Sequence, residues 1–516
     1  MYDVLIRGGT VYDGFGGPGR SADVAIRGGR VITVGRDLGA ARQTIDATGL
    51  AVAPGFVDPH SHSDTVPFLD EAQPFKLLQG VTTEIVGNCG FSCGPSDPST
   101  EEIVALETDG HVFASFGDYL DAASAAGPTN NIAALVGHNT LRVAVGGLDS
   151  ALPPGALDRM CNLAAEAFDA GAVGWSTGLE YVPGAYADRF ELNTLARVAR
   201  RWGRTYATHM RSESEGLLDA VDEAISIARS AGLRLQISHC KASGHRMHGS
   251  ARLLLEKIVE ARRSGVNVLA DVYPYTACST DLVAVLPPTA CEGGDTELLK
   301  RLANREERAA LRLLAEDPDN GTGVGLWREL HPEDLQILTH ADPAVAGRRL
   351  SDLVVDHDPW EVLCSIVSRD PHADTVLHTM REDDVTTFLS DPLVSVGSDN
   401  GLPFGPNHPR TFGTFPTFLG EYVRERGVVA MGEAIRKITS ATADQFGLAA
   451  RGWLGNGAVA DICVFDPARI GHAGTYERPA ERPVGVEWVL LGGRVVVDRG
   501  EFVGGREGLV LRPGQK

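Results

Sequence analysis

His60 and His62 stand one residue apart at the end of an apolar run, Ala51-Val52-Ala53-Pro54-Gly55-Phe56-Val57-Asp58-Pro59. Side chains alternate faces along an extended strand, so the two imidazoles point the same way. At the end of a buried strand such a pair can grip one divalent metal ion. Residues of the same chemical kind recur downstream, each closing a short apolar segment. They are Cys89 in Gly87-Asn88-Cys89-Gly90, His209 in Thr208-His209-Met210-Arg211, His239 in Ser238-His239-Cys240-Lys241, and Asp399 in Gly397-Ser398-Asp399-Asn400. Imidazole nitrogen and thiolate sulfur are preferred zinc ligands. A zinc ion with one open position acidifies water and polarises a carbonyl. A carboxylate beside it can take a proton and pass it to a leaving group. Asp399 is the candidate for that role, although an Asp after a strand is also a common helix N-cap. A buried cysteine is ordinarily a small hydrophobe, but Gly87 and Gly90 let the backbone around Cys89 come close to a ligand.

These groups need strands to bring them together. Candidate strands lie at 52–57, 81–86, 132–137, 172–177, 205–210, 234–239, 267–273 and 393–398, and the stretches between them are helical in composition, as at 217–230. Strands alternating with helices in that number predict an α/β chain folded as a TIM-like (β/α)8 barrel, whose working residues sit at the C-terminal strand ends. The charged, proline-rich stretch of about 281–390 reads as an insertion between strands seven and eight, lying over the active face. Short strands with glycine turns occupy both chain ends, including 4–6, 24–26 and 31–34, then 461–465, 486–491 and 494–497. Both ends are expected to pair into one small β-sandwich domain. The predicted division is 1–54 and 445–516 for that domain and 55–444 for the barrel.

The composition, with 43% hydrophobic and 22% charged residues over 516 positions, is that of a globular enzyme. A net charge of −21 argues against nucleic acid and anionic membranes as partners. No apolar run approaches the roughly 18 residues of a membrane span, and the first residues do not read as a secretion signal. Eight cysteines are too sparse for a disulfide scaffold, so a cytoplasmic location is expected. Cys161, Cys278, Cys291, Cys364 and Cys463 read as structural, Cys93 and Cys240 lie near the site without an assigned role, and His138 reads as a supporting group at the rim.

Taken together the motifs resemble the amidohydrolase superfamily and, within it, the D-aminoacylase (N-acyl-D-amino-acid deacylase) family. The segments that carry the likeness run from Pro54-Gly55-Phe56-Val57-Asp58-Pro59-His60-Ser61-His62 through Gly87-Asn88-Cys89-Gly90-Phe91-Ser92, Ser176-Thr177-Gly178-Leu179-Glu180-Tyr181, His209-Met210-Arg211 and Ser238-His239-Cys240-Lys241. They continue through Asp271-Val272-Tyr273-Pro274-Tyr275, Gly397-Ser398-Asp399 and His408-Pro409-Arg410.

The resemblance implies a tightly bound zinc on Cys89, His209 and His239, with His60, His62 and Asp399 bordering a second, weaker metal position. It implies Asp399 as general base and then acid, and Lys241 and Tyr273 as holders of the amino acid's carboxylate, with Arg410 a further anion contact. An ammonium and a phenol are suitable donors to an anion. Many superfamily members bridge two metals with a carboxylated lysine from strand four. Strand four here carries Trp175-Ser176-Thr177 and no lysine, which disfavours a hydantoinase-like or dihydroorotase-like hydrolase of cyclic amides. A non-catalytic amidohydrolase-like assembly protein is the rival from another class, disfavoured because all the ligand-type residues remain. The expected activity is hydrolysis of N-acyl-D-amino acids, with neutral, apolar side chains expected. The oligomeric state is not legible.

Overall fold

The computed structural model describes residues 1–100, 108, 110–317 and 325–514. Residues 318–324 of the expected insertion and 515–516 of the expected end domain lie outside the described residues.

Five strands come first: β1 (Tyr2–Val11), β2 (Arg20–Arg27), β3 (Arg30–Gly35), β4 (Ala41–Asp46) and β5 (Ala51–Pro54). The chain ends in β17 (Ile462–Phe465), β18 (Val486–Leu491), β19 (Arg494–Asp498) and β20 (Glu501–Phe502). Together they make one nine-stranded sheet in which β5 pairs with both β1 and β17, so the two chain ends are stitched into a single domain. The hydrogen bonding is continuous rather than divided between two sheets. An irregularity in β1 between Ile6 and Gly9 separates its pairing with β4 from its pairing with β5, and such a break bends a strand. The sheet closes over its own apolar core, which includes Val4, Ile6, Val24, Ile26, Val52, Ile462 and Leu490.

The barrel strands are β6 (Phe56–Asp58), β7 (Val81–Val86), β8 (Asn131–Gly137), β9 (Gly174–Gly178), β10 (Thr205–His209), β11 (Leu235–Ile237), β12 (Val268–Val272) and β16 (Val394–Val396). They pair in parallel and in chain order. The rim between the first and last strands is joined by a bridge of Ser61 with Asn400 and by the Asp399 amide donating to the His60 carbonyl at 2.9 Å. Alternation along β8 shows how the barrel is filled. Ile132, Ala134 and Val136 pack outward into the helix layer, and Ala133 and Leu135 pack inward with Ile85, Ala207 and Phe446.

The apolar run at 52–57 was expected to be one strand and is two, in different sheets. Pro54 has no amide to donate to a continuing ladder. A side chain at Gly55 would lie 2.2 Å from the Thr82 hydroxyl oxygen. The chain therefore leaves the end sheet at Pro54 and enters the barrel at Phe56.

Helices follow the strands for ordinary reasons. Leu217–Ala231 buries Leu217, Val221, Ala224, Ile225 and Ala228, spaced to share one face, and stops at the left-handed Gly232. Phe116–Ala126 opens with a capping box between Ser115 and Asp118.

Between β12 and β16 the chain builds a separate unit. It has an antiparallel sheet of β13 (Cys278–Asp281), β14 (Leu335–Ile337) and β15 (Asp374–Leu377), in the order β13-β15-β14. Its own core runs from Leu282 to Leu377 and includes the fully buried Trp360. The helix Glu382–Ser390 packs on the barrel helix Ala251–Arg263 and so joins the barrel layer, although it falls within the stretch read as insertion. No helix among the described residues is long and apolar enough to cross a membrane.

Candidate metal centre

The C-terminal ends of β6, β7, β10, β11 and β16 deliver His60 and His62, Cys89, His209, His239 and Asp399 to one point. Cys89 is the hub: its Sγ lies 3.3 Å from His60 Nε2 and 3.4 Å from His239 Nε2. Asp399 Oδ1 lies 3.2 Å from both His60 Nε2 and His62 Nε2. The ligand-capable atoms form two groups that share the sulfur, one of Cys89, His209 and His239 and the other of Cys89, His60, His62 and Asp399. The alternation read from the sequence holds here. His60 and His62 converge on Asp399, and the intervening Ser61 turns away to donate to Glu84 at 2.6 Å.

The backbone under these groups is shaped to present them. Cys89, His239 and Asp399 all adopt positive φ, at 52°, 31° and 50°. Non-glycine residues seldom do so, and such strain concentrates where function demands a particular side-chain direction. The Cys89 turn is packed without slack. A Cβ on Gly90 would lie 2.6 Å from the Gly178 amide nitrogen, and one on Gly178 would lie 1.9 Å from the Cys89 carbonyl oxygen. Ser176, on the strand that lacks a lysine, accepts from the Gly90 amide at 3.0 Å and donates to the Gly87 carbonyl at 2.5 Å. It clamps both sides of the cysteine.

Carboxylates that the sequence reading did not assign hold the imidazoles from behind. Glu213 Oε1 lies 2.7 Å from His239 Nδ1, and Glu180 Oε2 lies 2.8 Å from His209 Nε2. Each histidine thus has one nitrogen tied to a carboxylate and the other free for a metal, the arrangement that fixes tautomer and ring direction. The remaining nitrogen of His209, Nδ1, is buried without a hydrogen-bond partner among the described residues. Below the other group lies a wholly buried network. Lys76 Nζ donates to Asp58 at 2.6 Å, Asn400 at 2.7 Å and Ser398 at 2.8 Å, and lies 3.2 Å from Glu84. Asp58 in turn accepts from the amides of His60 at 3.1 Å and Ser398 at 3.0 Å. One cation therefore joins the ends of β6, β7 and β16. Removing it with Lys76→Met would leave buried carboxylates without a countercharge, at an expected cost of about 3–5 kcal/mol. A chemical-denaturation midpoint unchanged from the parent would refute that role.

The electrostatics favour a thiolate. Burial pushes the Cys89 thiol up, but the imidazoles of His60 and His239 outweigh it and hold the sulfur well below the usual thiol range. Burial likewise raises Asp399, but Arg410, His239 and His60 outweigh it and keep the carboxylate ionised well below its ordinary value. Burial opposes charge on His209, yet Glu213, Cys89 and Glu180 carry it up to about 10.

Lys241 and Arg410 stand on the same cavity of about 480 Å³, which also reaches His62, Cys89, His209, His239 and Asp399. Lys241 Nζ donates to Glu213 at 2.5 Å, and Arg410 Nη1 pairs with Asp399 Oδ2 at 2.7 Å. Arg410 thus holds Asp399 as well as facing the cavity. Tyr273 lies beneath both, its ring 5.0 Å from the Arg410 guanidinium and 5.8 Å from Lys241 Nζ. It is not among the residues of the cavity wall, and its buried hydroxyl has no hydrogen-bond partner among the described residues. His138, read as a supporting group, is spent elsewhere: Nε2 lies 2.7 Å from Glu191, and His138 belongs to neither ligand group.

The amidohydrolase family description matches residues 43–310 and 357–497. The chain belongs to the amidohydrolase family. Within it, this amidohydrolase is 35% identical to a D-aminoacylase of Alcaligenes xylosoxydans xylosoxydans, covering 99% of this chain and 97% of the relative. It is 36% identical to an N-acyl-D-glutamate deacylase of the same organism, covering 96% and 93%. Among solved structures, the N-acyl-D-glutamate deacylase of Bordetella bronchiseptica, complexed with zinc and a phosphonate mimic of the tetrahedral intermediate, superposes with a TM-score of 0.84 at 33% identity over 99% of each chain. The D-aminoacylase group is therefore the branch to which the amidohydrolase belongs, and the enzyme is a metal-dependent hydrolase.

Some of what the sequence reading missed left a trace in it. Glu180 lies inside the quoted Ser176–Tyr181 segment, and Glu84 is an acid within an otherwise buried strand. Glu213 and Lys76 carry no local signal.

Proposed function

We propose that the enzyme uses zinc to hydrolyse the amide bond of N-acyl-D-amino acids, giving a carboxylate and a free D-amino acid. The observation that carries this reading is the single cavity in which a thiolate shared among imidazoles, an ionised Asp399 and the cations Lys241 and Arg410 meet. The relatives' activities toward D-amino acid derivatives supply the stereochemistry.

The residues fit zinc. A thiolate and imidazoles are its preferred donors, and the buried, unpartnered Nδ1 of His209 is explained by a ligand. Cys89, His209 and His239 would hold the tight ion, and His60, His62 and Asp399 would border a weaker second position with the same sulfur. When bound, zinc supplies Lewis acidity, polarising the scissile carbonyl and making water acidic near neutral pH.

The chain's own groups do the rest. Asp399 Oδ1, between two imidazoles, accepts the proton of the attacking water and returns it to the departing amine nitrogen. Arg410 fixes Oδ2 of the same carboxylate, so the proton-carrying oxygen stays aimed at the cavity. Lys241 and Arg410, with the unpartnered Tyr273 hydroxyl behind them, receive the substrate's α-carboxylate. Glu213 ties Lys241 Nζ to the His239 ring, so the carboxylate is held at a fixed place relative to the metal ligands.

The test is amine release from paired D and L N-acetyl amino acids by zinc-loaded enzyme. Release from the D series alone is expected. Release from the L series, or from cyclic amides only, would overturn the proposal.

A further inference from the structure

The cavity has a second wall. Besides the metal centre it is lined by the inserted unit, through Thr280, Asp281, Leu338, Thr339, Asp374 and Leu377. Asp281 and Asp374 are directly opposed in the antiparallel pairing of β13 with β15. Like charges at opposed positions of a sheet destabilise it, and departures from local rules of this kind gather at functional sites. Asp374 accepts from the Thr339 hydroxyl at 3.1 Å. Neither acid has a salt bridge to a lysine or arginine among the described residues. Burial and the neighbouring charge of Asp281 push Asp374 up to about 6, so it is largely ionised at neutral pH. The acids and the metal-side residues line the same cavity and so belong to one binding space.

A second observation shows what enters this space. Arg410 is only 5% exposed and lines the same cavity; Nη1 pairs with Asp399, and its buried Nε has no hydrogen-bond partner among the described residues. A buried guanidinium with a donor to spare suits an acceptor on an anionic ligand. The cavity therefore carries both cations and a pair of acids, with Leu338 and Leu377 also in its wall. That layout matches a ligand with a carboxylate, an apolar stem and a terminal cation.

Resting on the deacylase reading above, we infer that Asp281 and Asp374 are specificity-determining residues that select N-acyl-D-amino acids with a long cationic side chain, of the D-lysine or D-ornithine type. The aliphatic stem of such a side chain packs on the leucines and its ammonium reaches the acids, as lysine stems do elsewhere. The acids also reject anionic side chains by repulsion, which is as much a part of specificity as the attraction. This departs from the neutral, apolar preference expected from the sequence.

The test compares kcat/KM of zinc-loaded enzyme for Nα-acetyl-D-lysine, N-acetyl-D-norleucine and N-acetyl-D-glutamate. Norleucine keeps the stem and lacks the ammonium, so the lysine-to-norleucine ratio isolates the charge. A ratio of about tenfold or more is expected, with glutamate the poorest substrate. The ratio should shrink as salt is raised and fall towards unity in Asp281→Asn and Asp374→Asn. Because the parent enzyme alone yields the ratio and its salt dependence, a variant that fails to fold does not disarm the test. Hydrolysis of the norleucine substrate with a ratio at or below one would overturn this inference and leave the deacylase reading standing. No release from any D substrate would overturn both.

Discussion

Asparagine in place of Asp399 is expected to lower kcat by about 10²–10⁴-fold, the range that general acid–base groups contribute, while the tightly held zinc remains. The separation of effects follows from the geometry. The group of Cys89, His209 and His239 does not include Asp399, so metal content after dialysis should match the parent. What the substitution removes is the charged oxygen 3.2 Å from His60 and His62, the proton carrier of the proposed reaction. The shape is kept, so Arg410 loses its ionic partner without a cavity opening beside it. Steady-state rates together with metal analysis decide the matter. A variant with parental zinc and a kcat within a few-fold of the parent would remove Asp399 from the chemistry. Loss of both zinc and activity would instead make it principally a ligand.

Cys89→Ala is expected to have the other large effect: loss of tight zinc and of all measurable turnover. Among the described residues Cys89 supplies the ligand atom common to both groups, so its removal breaks the set proposed for the tight ion and takes the only sulfur from the other. Losing a partner that merely supports a ligand costs about 10–100-fold in metal affinity, and loss of the shared thiolate should exceed that. The turn itself should persist, because Gly87, Gly90 and Ser176 hold it through the backbone. Thermal denaturation gives the check. Metal binding stabilises the folded state in proportion to its affinity, so a chelator should lower the Tm of the parent and leave that of the alanine variant unmoved. Stoichiometric zinc in the purified variant would show that the sulfur is not a principal ligand.

The fold and much of the site were legible because their signals are local. Alternation of side chains along a strand put His60 and His62 on one side, and the rule that barrels work at their C-terminal strand ends picked out Cys89, His209, His239 and Asp399. The chain ends announced a shared domain through matching strand-and-glycine texture. Where the reading slipped, a local signal was ambiguous. The apolar run at 52–57 has no feature of hydrophobicity that separates its two strands, and it is divided by Pro54, the lack of room at Gly55 and the competing pairings of β5 and β6. His138 sits at a strand end like the ligands, but its ring faces Glu191 on the helix Arg189–Arg200 that follows β9.

Other features arise from long-range pairing, to which periodicity is blind. Lys76 looks like a surface residue before a short turn until the barrel closes around it and brings Asp58, Glu84 and Asn400 to its ammonium. Glu213 becomes a support for His239 and Lys241 only when the loop after β10 folds back over the end of β11. Asp281 and Asp374 meet through one antiparallel register between distant segments. The sequence by itself thus determined the kind of barrel and the chemistry at its rim, because both depend on residue type and short spacing. Tertiary structure alone decided which buried charges compensate one another and what the second wall of the cavity presents, because charges act through space and the chain is free to bring any two of them together.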